Sequence, residues 1–178
     1  IANTDAQFLS RGLNELGVNV FYHTVVGDNP GRLQRQLRQA WERSDLIVTT
    51  GGLGPTEDDL TKEAVAEFLG LPMELHRPTL EAMERYFQGI GRAMTPNNEK
   101  QAYFPKGCLV LDNPNGTAPG CIVEQEGRIF VVLPGPPREL NPMFENHVRP
   151  YLLRRGDAKI TSRILHIFGM GESEAAYR

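Results

Sequence analysis

A short apolar run followed by glycines, Leu46-Ile47-Val48-Thr49-Thr50-Gly51-Gly52-Leu53-Gly54, decides the fold of this chain. Residues 46–50 are apolar without alternation, which is typical of a central parallel strand covered on both faces. The glycines predict a turn from that strand into a helix, because the apolar residues from Leu60 to Phe68 recur at helical spacing before Gly70. This strand-to-helix unit predicts an α/β domain.

The pattern continues on both sides of this unit. Helices are predicted over residues 3–16, 29–43, 60–69, 78–88, 95–101 and 139–153, and strands over residues 18–26, 46–50, 108–111, 121–124 and 129–133. Strands that alternate with helices predict a three-layer α/β/α sandwich with a mostly parallel sheet, to which the 108–124 region adds an antiparallel extension. We expect one main domain over residues 1–157, and the beginning of a further small α/β module over residues 158–178 with a strand at 160–168.

The composition excludes several classes of protein. The 178 residues carry a formal charge of −3, so the chain lacks the basic surplus of a nucleic-acid-binding domain. No apolar run approaches the ~20 residues that span a bilayer, and we expect a soluble, cytoplasmic protein with no membrane partner. The two cysteines, Cys108 and Cys121, are interpreted as buried reduced thiols, with a cross-strand bridge left open as an alternative.

Three predicted strand ends carry the residues of a candidate ligand site. Gly27-Asp28 follows the strand at 18–26, the glycine loop follows Thr50, and Pro134-Gly135-Pro136 follows Leu133. Ligands of open α/β sheets bind at the carboxyl ends of the strands, where these loops meet. The glycine amides can point at a phosphate or carboxylate, but a plain turn capped by Thr56 or Asp58 explains the same residues equally well.

Acidic and amide side chains surround this predicted anion site. Asp28, Asp58 and Asp59 could hold Mg²⁺ together with substrate phosphates, although acids near helix starts also serve as ordinary caps. A polar group at 97–101 could bind ribose, base or phosphate, although an exposed helical turn has the same appearance; it comprises Asn97, Asn98, Lys100 and Gln101.

Five blocks of sequence, in this order, make the chain resemble the CinA family of competence/damage-inducible proteins, specifically their N-terminal domain with the molybdopterin-binding fold of MogA, MoaB and MoeA. The resemblance extends from Asn3 to Leu153. The blocks are residues 25–29, residues 51–61, residues 96–102, residues 113–120 and residues 133–137. Leu53 stands where the pterin enzymes of this fold usually carry Thr, which favours the CinA branch.

The resemblance implies a function and a set of site residues. It implies hydrolysis of ADP-ribose at its diphosphate with Mg²⁺ or another divalent cation. We assign catalysis to Asp28 and Asp59, and the metal to Asp28, Asp58 and Asp59. We expect the amides of Gly52 and Gly54 to hold phosphate oxygens. The full predicted substrate-binding set is Gly51, Gly52, Leu53, Gly54, Pro55, Thr56, Thr61, Asn97, Asn98, Lys100, Gln101, Gly116, Thr117, Ala118, Pro134, Gly135 and Pro136.

The resemblance also implies partners and a missing element. Family members are often fused to a domain that deamidates nicotinamide mononucleotide, and relatives with this fold commonly form homo-oligomers. The family begins with a strand and a Gly-Thr-Glu loop, so we expect the sheet of this chain to lack its first strand. Two alternatives remain open: a nucleotide-binding or oligomerisation module without chemistry, and adenylyl transfer to molybdopterin.

Overall fold

The structure, a computed structural model, describes residues 2–155. The module predicted for residues 158–178, with its strand at 160–168, lies outside the described residues. The helices are α1 (Thr4–Glu15), α2 (Pro30–Arg43), α3 (Thr61–Leu69), α4 (Arg77–Gly89), α5 (Pro96–Glu99), α6 (Pro137–Met143) and α7 (Arg149–Arg155). The strands are β1 (Leu46–Thr50), β2 (Met73–Leu75), β3 (Tyr103–Pro105), β4 (Leu109–Leu111), β5 (Gly120–Gln125) and β6 (Arg128–Leu133).

Local capping sets the ends of the first three helices. The Oδ1 atom of Asn3 accepts a hydrogen bond from the amide of Ala6 over 3.0 Å, and Asn29 caps α2 through the amide of Arg32 at the same distance. Helix α3 ends at Gly70, whose φ of 66° lies in the left-handed region that favours glycine. The helices predicted in these three places are therefore confirmed.

The main sheet has the strand order β1-β6-β5-β4. Strands β1 and β6 pair in parallel, with Leu46 opposite Ile129 and Thr50 opposite Leu133. Strands β6, β5 and β4 pair in antiparallel fashion, which confirms the predicted antiparallel extension. The parallel part of this sheet is smaller than predicted, because residues 18–26 do not join it.

Two core clusters lie on opposite faces of the sheet. The first core cluster, beneath α2 and α3, comprises Leu37, Ile47, Leu53, Ala64, Val65, Leu69, Phe104, Cys121, Val123, Phe130 and Val132. The second core cluster, beneath α1 and α6, comprises Leu9, Leu13, Leu111, Ile122, Val131, Leu133, Leu140, Met143, Phe144 and Val148. Neighbouring strand residues alternate between the clusters because successive side chains point to opposite faces. The predicted three-layer α/β/α arrangement is therefore confirmed.

The strand predicted at residues 18–26 is wrong: this segment forms no strand in the structure. Its β-branched and aromatic residues favour extended backbone, but a strand also needs a hydrogen-bonding neighbour. Residues 18–24 and 26–30 instead line the same cavity of about 560 Å³ as β1, and no described strand lies between these residues and β1. The expectation that the sheet lacks its first strand stays a prediction.

The closing helix differs from the single helix predicted at residues 139–153. A π-helical turn at Phe144–Val148 separates α6 from α7, and its last hydrogen bond runs from the amide of Arg149 to the carbonyl of Phe144. Pro150 has no amide hydrogen to continue the α-helical pattern, which accounts for the irregular turn before it. Within residues 2–155, no helix has the length and apolar character needed to cross a membrane.

Antiparallel strands β2 and β3 form a second, two-stranded sheet that the sequence analysis did not predict. Each strand has three residues, so neither is long enough to show a period-two pattern. A 3₁₀-helical turn at Lys100–Ala102 leads into β3. The predicted helix at 95–101 is therefore divided between α5 and this turn.

Candidate functional site

The glycine loop, residues 51–60, lies beside the Pro134–Pro136 loop because β1 and β6 are parallel neighbours. The amide of Gly51 donates a hydrogen bond to the carbonyl of Leu133 over 3.0 Å. A Cβ atom on Gly135 would lie 3.5 Å from the Cα atom of Gly51. These contacts confirm that the loops after β1 and β6 meet at one edge of the sheet.

Two consecutive glycines let the loop turn sharply after β1. Gly51 and Gly52 have φ angles of 85° and 68°, in the left-handed region that residues with a side chain rarely adopt. The hydroxyl of Thr61 donates to the carbonyl of Gly51 over 2.8 Å, and the amide of Thr61 donates to the carbonyl of Gly52 over 3.1 Å. A Cβ atom on Gly52 would clash with that hydroxyl. The loop is therefore bound tightly to the start of α3.

The loop amides divide into two groups according to their partners. The amide of Gly51 is bonded to Leu133, and the amide of Gly54 lies toward the carboxylate of Asp59 and contributes to lowering its pKa. Within residues 2–155, the amides of Gly52 and Leu53 donate to no protein acceptor. The sequence analysis assigned phosphate binding to Gly52 and Gly54; the structure leaves the first of these amides free and gives the second an internal partner.

Asp59 lies inside the loop and holds it closed. Its Oδ2 atom accepts hydrogen bonds from the hydroxyl of Thr56 over 2.6 Å and from the amide of Thr56 over 3.0 Å. Partial burial acts to raise the pKa of Asp59, but these hydrogen bonds, that from Gly54, and the charge of Lys100 outweigh it and lower the pKa. Asp59 is therefore ionised at neutral pH.

The polar group at 97–101 supports the loop from outside. The Nζ atom of Lys100 donates to the carbonyls of Thr56, over 3.0 Å, and Asp59. Gln101 is fully buried and donates to the carbonyl of Leu53 over 3.2 Å. These contacts position the loop backbone; the predicted role of this group in orienting a nucleoside stays a prediction.

The other two members of the polar group differ in exposure. Asn98 is buried and closes a capping box with Thr95, whose amide donates to its Oδ1 atom over 3.0 Å. Asn97 is exposed to solvent. Only Asn97 and the half-buried Lys100 are therefore near solvent in this group.

The predicted metal carboxylates are only partly brought together. Asp28 and Asp58 line the cavity described above, as do Gly51 and Gly52, whereas Asp59 faces Thr56. Within residues 2–155, no group of three or more His, Cys, Asp or Glu side chains could hold a metal by itself. Mg²⁺ commonly binds one or two carboxylates plus substrate phosphates and water, so this donor set fits a magnesium ion that arrives with its substrate.

A buried carboxylate near the third predicted loop was missed by the sequence analysis. Glu139, in the first turn of α6, accepts a hydrogen bond from the Nδ2 atom of Asn113 over 2.8 Å. A Cβ atom on Gly116 would clash with this carboxylate in its present position. The Gly116–Ala118 loop is thus fastened to α6, next to Pro136. The only available signal was the position of Glu139 after Pro136-Pro137, which a helix-capping role explains equally well.

Comparisons with known proteins agree with this fold. Residues 1–154 match the family described as a probable molybdopterin binding domain. A molybdopterin biosynthesis protein from Mycobacterium abscessus has a similar structure, with a TM-score of 0.56 over 87% of this chain and 84% of that chain, at 19% identity. That likeness concerns the fold alone, and it places the chain in the molybdopterin-binding-like class.

Closer relatives define the family within that class. A competence-damage inducible protein from Acetivibrio thermocellus is 56% identical over 174 residues, which cover 98% of this chain and 42% of the relative. The structure of the protein CinA from Thermoplasma acidophilum matches with a TM-score of 0.76 and 34% identity, over 84% of this chain and 88% of that chain. The chain belongs to the CinA family. It spans less than half the length of the curated relatives it matches.

Proposed function

We propose that this domain hydrolyses the diphosphate linkage of a nucleotide, with ADP-ribose as the substrate and Mg²⁺ or another divalent cation as cofactor. The observation that carries the proposal is the glycine loop, in which two free amides, on Gly52 and Leu53, lie in the same turn as the ionised carboxylate of Asp59. Free amides favour a phosphate oxygen, and ionised carboxylates favour the cation that accompanies it.

Each part of the loop has a distinct task in this proposal. The amides of Gly52 and Leu53 donate hydrogen bonds to phosphate oxygens and to the negative charge that develops on them. They lose little entropy on binding, since Thr61 and the buried side chain of Leu53 already fix the backbone. The Pro134–Pro136 loop borders the same turn and limits how the substrate can lie.

Asp28, Asp58 and Asp59 are the residues that would hold the cation. The cation would neutralise the diphosphate and lower the pKa of a bound water that attacks phosphorus. Asp28 and Asp58 are exposed and line the same cavity as Gly52, so both carboxylates are accessible to an ion in that cavity. Without the ion these acids would repel a phosphate, so binding should depend on the metal.

Asp28→Asn and Asp59→Asn test the catalytic assignment in the full-length protein. ADP-ribose is incubated with Mg²⁺, and the release of AMP and ribose 5-phosphate is followed by chromatography. We expect kcat to fall by about 100-fold or more in each variant, because an amide does not replace a carboxylate on the metal. Turnover should also stop when EDTA removes the metal.

Glu57→Gln is the matched control, because Glu57 is an exposed carboxylate of the same loop. It should keep wild-type turnover. Asp59→Asn also removes hydrogen bonds within the loop, whereas Asp28→Asn does not. A loss of turnover in Asp28→Asn therefore reports on catalysis and not on the structure of the loop. The proposal is wrong if both Asp variants turn over ADP-ribose at the wild-type rate, or if the wild-type protein binds ADP-ribose by calorimetry without forming products. The second result would favour a nucleotide-binding module.

Molybdopterin binding, with or without adenylyl transfer, is the second candidate function. The family description favours it, since residues 1–154 match a probable molybdopterin binding domain. The two functions are separated by offering the full-length protein molybdopterin with ATP and, separately, ADP-ribose. Formation of an adenylylated pterin would favour the second candidate.

The remaining parts of the proposal concern the complete protein. We propose that it is a cytoplasmic homo-oligomer that works with a nicotinamide mononucleotide amidohydrolase, either fused or separate. The greater length of the curated relatives supports a fused domain. Mixing the purified chain with an amidohydrolase from the same genome and measuring the mass of the complex in solution tests this association.

A further inference from the structure

The two cysteines lie together on one face of the sheet, the face that carries the first core cluster. Val110 of β4 pairs with Cys121 of β5, and Cys108 precedes Val110 by two residues, so its side chain projects from the same face. Both side chains pack against the first core cluster. Neither cysteine is in a disulfide, so both are free thiols.

A buried lysine lies near this pair of thiols. Lys62, in the first turn of α3, is 2% exposed, and its Nζ atom donates to the carbonyl of Gln101 over 2.7 Å. The same atom lies 4.1 Å from the centre of the Phe104 ring. The positive charge of Lys62 acts on both Cys108 and Cys121. A buried cation next to a thiol favours the thiolate, which is the reactive form of cysteine.

We propose that Cys108 and Cys121 form a redox-active dithiol that closes to an intramolecular disulfide with hydrogen peroxide as oxidant, and that Lys62 promotes the reaction by stabilising the Cys108 thiolate. The sulfur of Cys108 attacks one peroxide oxygen; a sulfur–oxygen bond forms, the oxygen–oxygen bond breaks, and one water leaves. The thiol of Cys121 then attacks the Cys108 sulfenic acid; the disulfide forms and a second water leaves.

The two cysteines have different roles in this reaction. The hydrogen bond from Cys121 lowers the pKa of Cys108, burial opposes this, and the charge of Lys62 adds to the lowering. The hydrogen bond to Cys108 and nearly complete burial raise the pKa of Cys121. Cys108 is also the more exposed of the two, so it meets the oxidant first and Cys121 resolves the intermediate.

The backbone at Cys108 permits the small movement that a disulfide requires. Diagonal neighbours on adjacent strands are about 7–8 Å apart, slightly beyond the usual Cα separation of about 4.4–6.8 Å in disulfides. Cys108 lies just outside β4, after a turn in which its amide donates to the carbonyl of Pro105 and Gly107 has a φ of 77°. A shift of this turn brings the sulfur atoms together without breaking the sheet.

Mass spectrometry of the folded, full-length protein tests the disulfide. After treatment with a small excess of hydrogen peroxide, we expect a loss of 2 Da, a peptide that links residues 108 and 121, and reversal by dithiothreitol. In Cys121→Ser, Cys108 should stop at a sulfenic acid that dimedone traps. Absence of the linked peptide, or disulfides formed only between molecules, would overturn the proposal. Neither result depends on the phosphate site.

A pair of lysine variants tests the part assigned to Lys62. Lys62→Met should slow the oxidation by about tenfold at pH 7, because loss of the charge raises the thiol pKa by about one unit. Lys62→Arg should react within about twofold of wild type. Lys106→Met is the matched control, since Lys106 is closer in sequence to Cys108 but exposed, and it should keep the wild-type rate. Equal rates in Lys62→Met and Lys106→Met would exclude the lysine from the reaction.

Discussion

Side chains in and beside the glycine loop hold its backbone in one conformation through hydrogen bonds within the protein. Asp59 accepts hydrogen bonds from Thr56, and the hydroxyl of Thr61 donates to the carbonyl of Gly51. Because these groups pair with each other, the free amides of Gly52 and Leu53 are fixed in space rather than collapsed onto the protein. The energetic cost of ordering the site is therefore met during folding rather than at binding.

Gly52→Ala compared with Gly70→Ala tests how tightly the loop is packed. Both glycines have nearly the same left-handed φ, 68° and 66°, but only the Cβ atom at residue 52 meets another group, the hydroxyl of Thr61. We expect Gly70→Ala to lower the free energy of unfolding by about 1–2 kcal/mol through backbone strain alone. Gly52→Ala should cost about 1 kcal/mol more, because it displaces the Thr61 hydrogen bond. Urea denaturation measures both, and equal losses would contradict the packing described here.

At the scale of elements, α5 and the 3₁₀ turn after it act as a support for the loop that follows β1. Lys100 donates to two loop carbonyls, and Gln101 donates to a third. The support comes from residues about 40 positions further along the chain. The sequence shows these side chains as polar and grouped, and the ligand-binding role predicted for them stays a prediction beside their contacts with the loop backbone.

Lys100→Met and Lys106→Met form a matched pair that measures this support. Lys100 is half-buried and bonded to Thr56 and Asp59, whereas Lys106 makes one exposed ion pair with Glu74. We expect Lys100→Met to lower the free energy of unfolding by about 1–2 kcal/mol and to speed amide exchange in residues 57–60. Lys106→Met should stay within about 0.5 kcal/mol of wild type. Unchanged exchange in Lys100→Met would show that the lysine does not hold the loop.

At the scale of the whole molecule, the sheet divides the core into two independent halves. Ile47 belongs to the first core cluster and Ile122 to the second, on opposite faces. The glycine loop is joined to the first half through the buried side chain of Leu53. Substitutions in the second core cluster, beneath α1 and α6, should therefore have little effect on the conformation of the glycine loop.

Double-mutant cycles on isoleucines test this division. Ile47→Val and Ile122→Val should each lower the free energy of unfolding by about 0.5–1.5 kcal/mol. The sum of the two losses should match the loss in the double variant within about 0.5 kcal/mol. Ile47→Val with Phe130→Leu is the comparison, because residues 47 and 130 are register partners in one cluster, so we expect a larger coupling energy. For each cycle, thermal and urea unfolding give the free energies of unfolding of the two single variants and the double variant, relative to wild type. Equal coupling in both cycles would mean that the sheet does not separate the halves.

Much of the fold was predictable because its signals are local. The apolar run at 46–50, the caps Asn3 and Asn29, and the helix end at Gly70 each depend on a few adjacent residues, and the structure confirms all of them. Residues 18–26 show the limit of this reasoning. Their extended character is local, but membership of a sheet depends on a neighbour that pairs with them, and no described strand does so.

Residue types and their order were enough to locate the glycine loop, its acids and the neighbouring proline loop at one edge of an α/β sheet, since chain direction and strand order bring such loops together. Their hydrogen-bonding state depended on contacts between distant parts of the chain: Lys100 donates to the carbonyls of Thr56 and Asp59, and Gln101 donates to the carbonyl of Leu53. Such pairings follow from packing in three dimensions, where burial and the need to satisfy each polar group select one partner among many.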